Sequence, residues 1–332
     1  MNVLYVTSNQ RGTGKTAFCA ALAHQLVKDG QHAGVWKPIG GADDADAAIY
    51  RQLLGQADNG GPREAPKGGL TPALIEDIKK TAREAGEGQD VLLVEGSPDL
   101  SAENSQQLAE ALDAKVVVVA RFDAGLEAAG LSEWGAPFGE RLLGYVVNGL
   151  TRYRGKDATS RLVPAMESQG MAALGVIPED RTLLGVSVGQ LTAHLDGRYL
   201  IGEEMSDSLV EHFLVGIRGM DAGLEYYSLH DRKAVIVPGD RPDVHMSVLQ
   251  TPTACLLMTK GIEPIEYVIN EAELEQVPVV LVESDTLTTM AALNTIQQTA
   301  RFDHPAKLER YSELLDRHVD TAAIRAGLGL AA

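Results

Sequence analysis

The chain has only two thiols, Cys19 and Cys255, and both sit among apolar neighbours, in TAFCAAL and TACLLM. Neither belongs to a spaced pair or a Cys/His pattern, so a disulfide framework and a cysteine nucleophile have no support, and two core thiols are expected. Basic charge is also scarce. Lys and Arg together number 29 against 46 Asp and Glu, a formal charge of -17. Such a surface repels phosphate backbones and anionic lipid, which argues against general nucleic-acid or membrane binding. No stretch approaches the roughly 18 apolar residues of a membrane helix, and MNVLYVTS runs into a strand with no basic leader, so a cytoplasmic protein is expected. A polyphosphate ligand would have to be held locally, by a few cations and backbone N–H groups.

What is present is ordinary globular material: 332 residues, 45% hydrophobic and 23% charged, enough for two domains. Apolar runs alternate with helical periodicity, the mark of an α/β fold with a parallel sheet covered by helices. Strands are expected at VLYVTS, AGVWKP, DVLLVEG, KVVVVA, LLGYVVN and ALGVIP. Phe18, Leu22 and Leu26 share a helix face that Gly30 ends, and Thr71-Pro72 opens a helix that Gly86 closes. GQADNGGPREAPKGG, residues 55–69, reads as a loop that is mobile without ligand. After the polar stretch SVGQLTAHLDGRYLIGEEMSDS a shorter alternation begins. Strands fall at KAVIVP, ACLLMT and PVVLV, with helices near RPDVHMSVL, PIEYVINEAEL and TLTTMAALNTI and a last helix from Pro305. We place the domains at 1–204 and 205–332.

Residues 8–16, SNQRGTGKT, have the phosphate-gripping end of a nucleotide loop but lack its first glycine. In G-x-x-x-x-G-K-S/T that position is Asn9, and with one more spacer it is Ser8. The rest is intact. Gly12 and Gly14 let backbone N–H groups converge on phosphate oxygens, Lys15 reaches the β/γ-phosphates, and the Thr16 hydroxyl ligates Mg²⁺ at a helix N-terminus. A degenerate turn that keeps only the shape is the competing reading. KPIGG adds a second cation, Lys37. DDADAA offers Asp43, Asp44 or Asp46 to a metal, or simply to a helix start. VLLVEG ends a buried strand on Glu95, a second metal-site element. Asn148, closing GYVVN, offers both a donor and an acceptor to an adenine edge, unless Asn148-Gly149 is only a turn. Pro178, Glu179 and Asp180 end the next strand and could line the same pocket.

SNQRGTGKT, WKPIGG, VLLVEGSPDL, GYVVNGL and LGVIPED, in that order, resemble dethiobiotin synthetase, an ATP-dependent ligase. They resemble still more closely the dethiobiotin-synthetase-like N-terminal domain of long bacterial phosphate acetyltransferases. PGDRPDV, ACLLMTKGIEP and VPVVLVESDTLTT are similar to the DRTGG domain that follows it there, with Asp240-Arg241 as the DR pair and Thr259-Lys260-Gly261 in place of TGG. The resemblance implies a P-loop nucleotide-binding domain followed by a smaller regulatory one. ATP and Mg²⁺ are the implied cofactors. Arg11, Gly12, Thr13, Gly14, Lys15 and Thr16 would wrap the nucleotide with Asn148 on adenine, and Lys15 and Lys37 would be the catalytic cations. Thr16, Glu95 and one aspartate, taken as Asp46, would hold the metal. The catalytic acetyltransferase domain of the long enzymes is not found here, so acetyl transfer is not expected. The expected role is an Mg·ATP-binding regulatory or sensor protein with at most slow hydrolysis; the alternative is a ligase of the dethiobiotin synthetase type. Implied partners are an adenine nucleotide, a second copy in a homodimer, and a separate phosphate acetyltransferase or other metabolic enzyme.

Overall fold

The apolar runs of the first half do form strands: β1 (Asn2–Thr7), β2 (Ala33–Trp36), β3 (Val91–Glu95), β4 (Lys115–Arg121), β5 (Leu142–Leu150) and β6 (Ala173–Pro178). In the computed structural model, which describes residues 1–41, 44–56, 62–66, 68–123 and 125–330, they make one sheet in the order β2-β3-β1-β4-β5-β6. Every pairing in it is parallel. Parallel strands are covered on both faces, which explains why these runs are continuously apolar rather than alternating. All five residues of β3 are buried, as are Val3–Thr7 of β1. The covering helices are α1 (Lys15–Lys28), α2 (Asp46–Leu54), α3 (Pro72–Ala85), α4 (Ala102–Ala111), α5 (Ala128–Gly135) and α6 (Val163–Ser168). The Thr71 hydroxyl accepts from the Leu74 N–H at 3.2 Å, with Pro72 in the first turn and Gly86 as the C-cap. Both cysteines are buried and free.

Chain order and sheet order diverge around β1. The chain leaves it for β2, returns through β3, then crosses to β4 on the other side. Such a reversal opens a crevice at the carboxyl ends of the strands, where ligands of α/β sheets bind. The SNQRGTGKT loop leaves β1 at that end.

The second alternation forms its own sheet. Its members are β7 (Arg198–Ile201), β8 (His212–Val215), β9 (Lys233–Pro238), β10 (Thr253–Thr259) and β11 (Val279–Leu281), in the order β7-β11-β10-β9-β8. β8 to β11 are parallel, and β7 runs antiparallel at the β11 edge. Helices α7 (Val188–His194), α8 (Met220–Tyr227), α9 (Pro242–Leu249), α10 (Glu266–Leu274) and α11 (Thr286–Ile296) accompany it.

Two compact units result, Met1–Asp180 with Pro305–Ala332, and Arg181–His304. This differs from the expected division at 204/205 in two ways. The polar stretch 187–208 holds α7 and β7, and β7 is hydrogen-bonded into the second sheet. The closing helices α12 (Pro305–His318) and α13 (Thr321–Gly327) return to the first unit. There the Gln25 amide on α1 donates to the Ser312 carbonyl and to Asp316 Oδ1, each at 2.8 Å, and Lys28 pairs with Glu309 at 3.0 Å. The second unit is therefore an insertion in the first. Of the loop expected at 55–69, residues 57–61 and 67 lie outside the described residues, as does Asp43.

Candidate functional site

The loop after β1 turns into α1 through Gly14, which stands at the helix N-cap with φ +91. An L-residue rarely adopts that backbone, and a Cβ there would come 2.1 Å from Asn148 Nδ2. Gly12 is also left-handed, at φ +69. The missing first glycine has a physical answer, because neither Ser8 nor Asn9 takes a left-handed backbone. The loop begins without needing glycine, and Ser8 contributes a hydroxyl instead. Its Oγ accepts from Lys15 Nζ at 2.7 Å and donates to the Gln10 carbonyl at 2.8 Å.

Lys15 is only 5% exposed. Burial, more than any neighbouring charge, holds its ammonium below the ordinary lysine value, against the pull of Glu95. Thr16, beside it on α1, donates its hydroxyl to Glu95 Oε1 at 3.1 Å. Glu95 closes β3, adjacent to β1, so the parallel register brings the strand's last residue beside the first turn of α1.

Lys37 follows β2 and meets these groups from the other side. Its Nζ is 2.7 Å from Asp44 Oδ2, bonded to Asp46 Oδ2 and 3.5 Å from Glu95 Oε1. Burial opposes its charge, but Glu95, Asp46 and Asp44 outweigh that and raise its pKa. Glu95 is raised from its ordinary value, first by burial and then by Asp46, with Lys37 and Lys15 opposing. Asp44 also accepts from the Asp46 N–H at 3.0 Å, folding back over Gly40, where a Cβ would come 2.3 Å from Asp44 Oδ2.

Of the expected site residues, Lys15, Thr16, Lys37, Asp46 and Glu95 thus converge. Asp44 joins them as one of the aspartates left open. Tyr50 and Ser8 were missed. Tyr50 is buried and donates its hydroxyl to Glu95 Oε2. It lies one helical turn after Asp46 on α2, and that i, i+4 spacing was the available signal. Thr13 is buried, and its carbonyl accepts from Asn148 Nδ2 at 2.8 Å, so Asn148 braces the loop from β5. Arg11 is turned outward, paired with Asp99 at 2.5 Å. Glu179 and Asp180 are engaged by Arg121 at 3.0 Å and by Arg310 at 2.8 and 2.9 Å. Base contacts from their carboxylates would have to break those pairs.

Could these residues hold Mg²⁺? The donors are a hydroxyl and carboxylates, the hard oxygen set that Mg²⁺ takes, and a positive charge already stands among them as the Lys37 ammonium. By chemistry they fit. Among the described residues, no three His, Cys, Asp or Glu side chains form a ready-made metal cage.

In the second unit, Asp240-Arg241 lies at the start of α9 and Thr259-Lys260-Gly261 at the end of β10. Arg241 is the N-cap residue of α9 and makes two bonds to Asp243, at 3.0 and 2.9 Å. Thr259 shares a hydroxyl bond with Thr286 at 3.0 Å, and Lys260 sits at φ +68. A separate cavity of about 250 Å³ lies between Phe213, Ile236, Met290 and Leu293.

The AAA domain family matches residues 2–186, and the DRTGG domain matches residues 190–296. A phosphate acetyltransferase of Nitratidesulfovibrio vulgaris is 23% identical over 97% of this chain and 51% of its own length. The chain thus spans about half the length of the phosphate acetyltransferases it matches. An ATP-dependent dethiobiotin synthetase of Mycobacteroides abscessus is 31% identical over 38% of this chain and 63% of its own. Among solved structures, cobyrinic acid a,c-diamide synthase from Mycobacterium smegmatis with bound ADP and magnesium is 16% identical. That match covers 55% of this chain and 88% of the other, with a TM-score of 0.40. No helix among the described residues is long and apolar enough to cross a membrane.

Proposed function

The chain belongs to the AAA domain family through residues 2–186, and from that premise we propose that it binds Mg·ATP and acts as a regulatory module, the DRTGG domain conveying the state of the nucleotide site. The observation that carries this reading is the Thr16 hydroxyl, beside Lys15 at the head of α1, meeting Glu95 at the carboxyl end of β3. The loop N–H groups and Lys15 take the phosphates, with Arg11 at the outer rim. Asn148 keeps the loop in shape and offers its Oδ1 to the adenine amino group. Thr16, Glu95 and Asp46 hold Mg²⁺, which neutralises phosphate charge when bound. Lys37 is the second phosphate cation. Hydrolysis is slow. The protein works in the cytoplasm as a homodimer, alongside a phosphate acetyltransferase or another metabolic enzyme.

Thermal melting with Mg·ATP tests this. Nucleotide at a hundred times Kd should add about 2.7 kcal/mol, raising the midpoint of the first unit by roughly 5–10 °C. A flat titration to millimolar nucleotide leaves no nucleotide site. Incubation with ATP, bicarbonate and diaminopelargonate should give no product; cyclised product with stoichiometric ADP would make the protein a ligase instead.

A further inference from the structure

We propose that in the nucleotide-free protein the Lys37 ammonium stands in for the divalent cation, and that metal and ammonium exchange there when nucleotide arrives. The inference rests on the Mg·nucleotide reading above and adds what that reading lacks, a state of the site before loading.

Three observations carry it. First, Lys37 shares partners with the metal set, since Asp46 and Glu95 are both expected metal ligands and both pair with its Nζ. Second, the ammonium is shut in. Its side chain is 5% exposed, with Asp44 and Glu95 at 10% and 3%, so it is no surface lysine that happened to find a carboxylate. Third, the carboxylates are arranged for it. Asp44, Asp46 and Glu95 each bring a carboxylate oxygen to the same Nζ, and the Thr16 hydroxyl is bonded to Glu95 Oε1 at 3.1 Å.

Mg²⁺ binds carboxylate oxygens at about 2.1 Å and tolerates little distortion. A cation seated between Asp46 and Glu95 would therefore lie against the Lys37 Nζ, in a buried setting that screens like charges poorly. The two cannot share the place. Lysine has a flexible four-carbon stem with the charge at its tip, so it can vacate the carboxylates without moving its backbone. The ammonium released in this way is then free to meet the γ-phosphate that the metal brings. Empty of nucleotide, the site needs no metal to balance its carboxylates.

The prediction runs against the usual expectation for a binding-site residue: removing Lys37 should strengthen metal binding. Mn²⁺ serves as the probe, its free aquo ion counted by electron paramagnetic resonance on the full chain without nucleotide. Lys37→Met should bind Mn²⁺ at least tenfold more tightly than wild type, and Lys37→Arg, which keeps the charge, should bind it as weakly as wild type. Should Lys37→Met fold only with Mn²⁺ present, that requirement supports the exchange, and its melting midpoint against Mn²⁺ reads the affinity. Equal Mn²⁺ affinity in Lys37→Met and wild type overturns the exchange, while wild type that still takes Mn²⁺ with a non-hydrolysable ATP analogue leaves the nucleotide reading standing. Wild type that takes no such complex overturns both.

Discussion

Single side chains decide whether the first unit can hold a charged ligand. Tyr50 fastens Glu95 Oε2 while Thr16 engages Oε1, so the carboxylate is gripped from α2 and from α1. Tyr50→Phe keeps the ring and deletes that donor, leaving one oxygen of a buried carboxylate unpaired. We expect a loss of about 1–3 kcal/mol in urea unfolding, together with weaker Mg²⁺ dependence of nucleotide binding. An unchanged unfolding midpoint would mean the hydroxyl bond contributes nothing. Lys260 offers the opposite case. Its φ of +68 suits glycine, the residue its motif has at that position. Lys260→Gly should stabilise the second unit by up to about 1–2 kcal/mol, the strain an L-residue bears in that conformation, and a lowered midpoint would show that the lysine side chain has a packing role. Neither Tyr50 nor the Ser8 hydroxyl stood out in the sequence, because their tasks depend on which elements the sheet order brings together. Lys15, Thr16 and Glu95 were legible, since each sits at a fixed offset from a strand or helix end.

Between elements, legibility followed burial. The strands of the first sheet, and β9, β10 and β11 of the second, announced themselves as unbroken apolar runs. The edge strands β7 and β8 did not, because each is only four residues, RYLI and HFLV, and pairs on one side only. Lys233 opens β9 fully buried, its Nζ donating to the Pro252 carbonyl. Burial pushes its pKa down to about 8 from 10.5. In the folded protein it therefore gives up its proton earlier than in the unfolded chain, so the unfolded state binds more protons between those two values. Stability must rise with pH across that window, and the charged form is disfavoured below it. Comparing wild type with Lys233→Met by chemical unfolding from pH 7 to pH 11 isolates this contribution. The wild type should gain on the variant between pH 8 and 10.5. A constant difference would mean that the ammonium is as well solvated folded as unfolded.

For the molecule as a whole, the decisive fact is that the first unit is discontinuous. A reading along the chain assigns the last helix to the domain before it, since nothing in PAKLERYSELLDRH declares a distant partner. Its buried Leu308, Tyr311, Leu314 and Leu315 belong to the first unit nonetheless. At roughly 1.5–3 kcal/mol for each buried side chain, these four supply about 6–12 kcal/mol, as much as the whole stability of a typical domain. A chain truncated after His304 should therefore lose the cooperative melt of its nucleotide unit, followed by calorimetry, and with it any rise on adding Mg·ATP. A fragment that still melts cooperatively and still responds would show that α1 needs no cover.

The same discontinuity acts while the protein is being made. The loop after β1 is made before the inserted unit, but the helix that covers α1 is made after it. Until Pro305–His318 emerges, the flank of α1 that carries Gln25 stays bare through the synthesis of the entire inserted unit. Any chaperone that escorts the nascent chain would find its apolar target there.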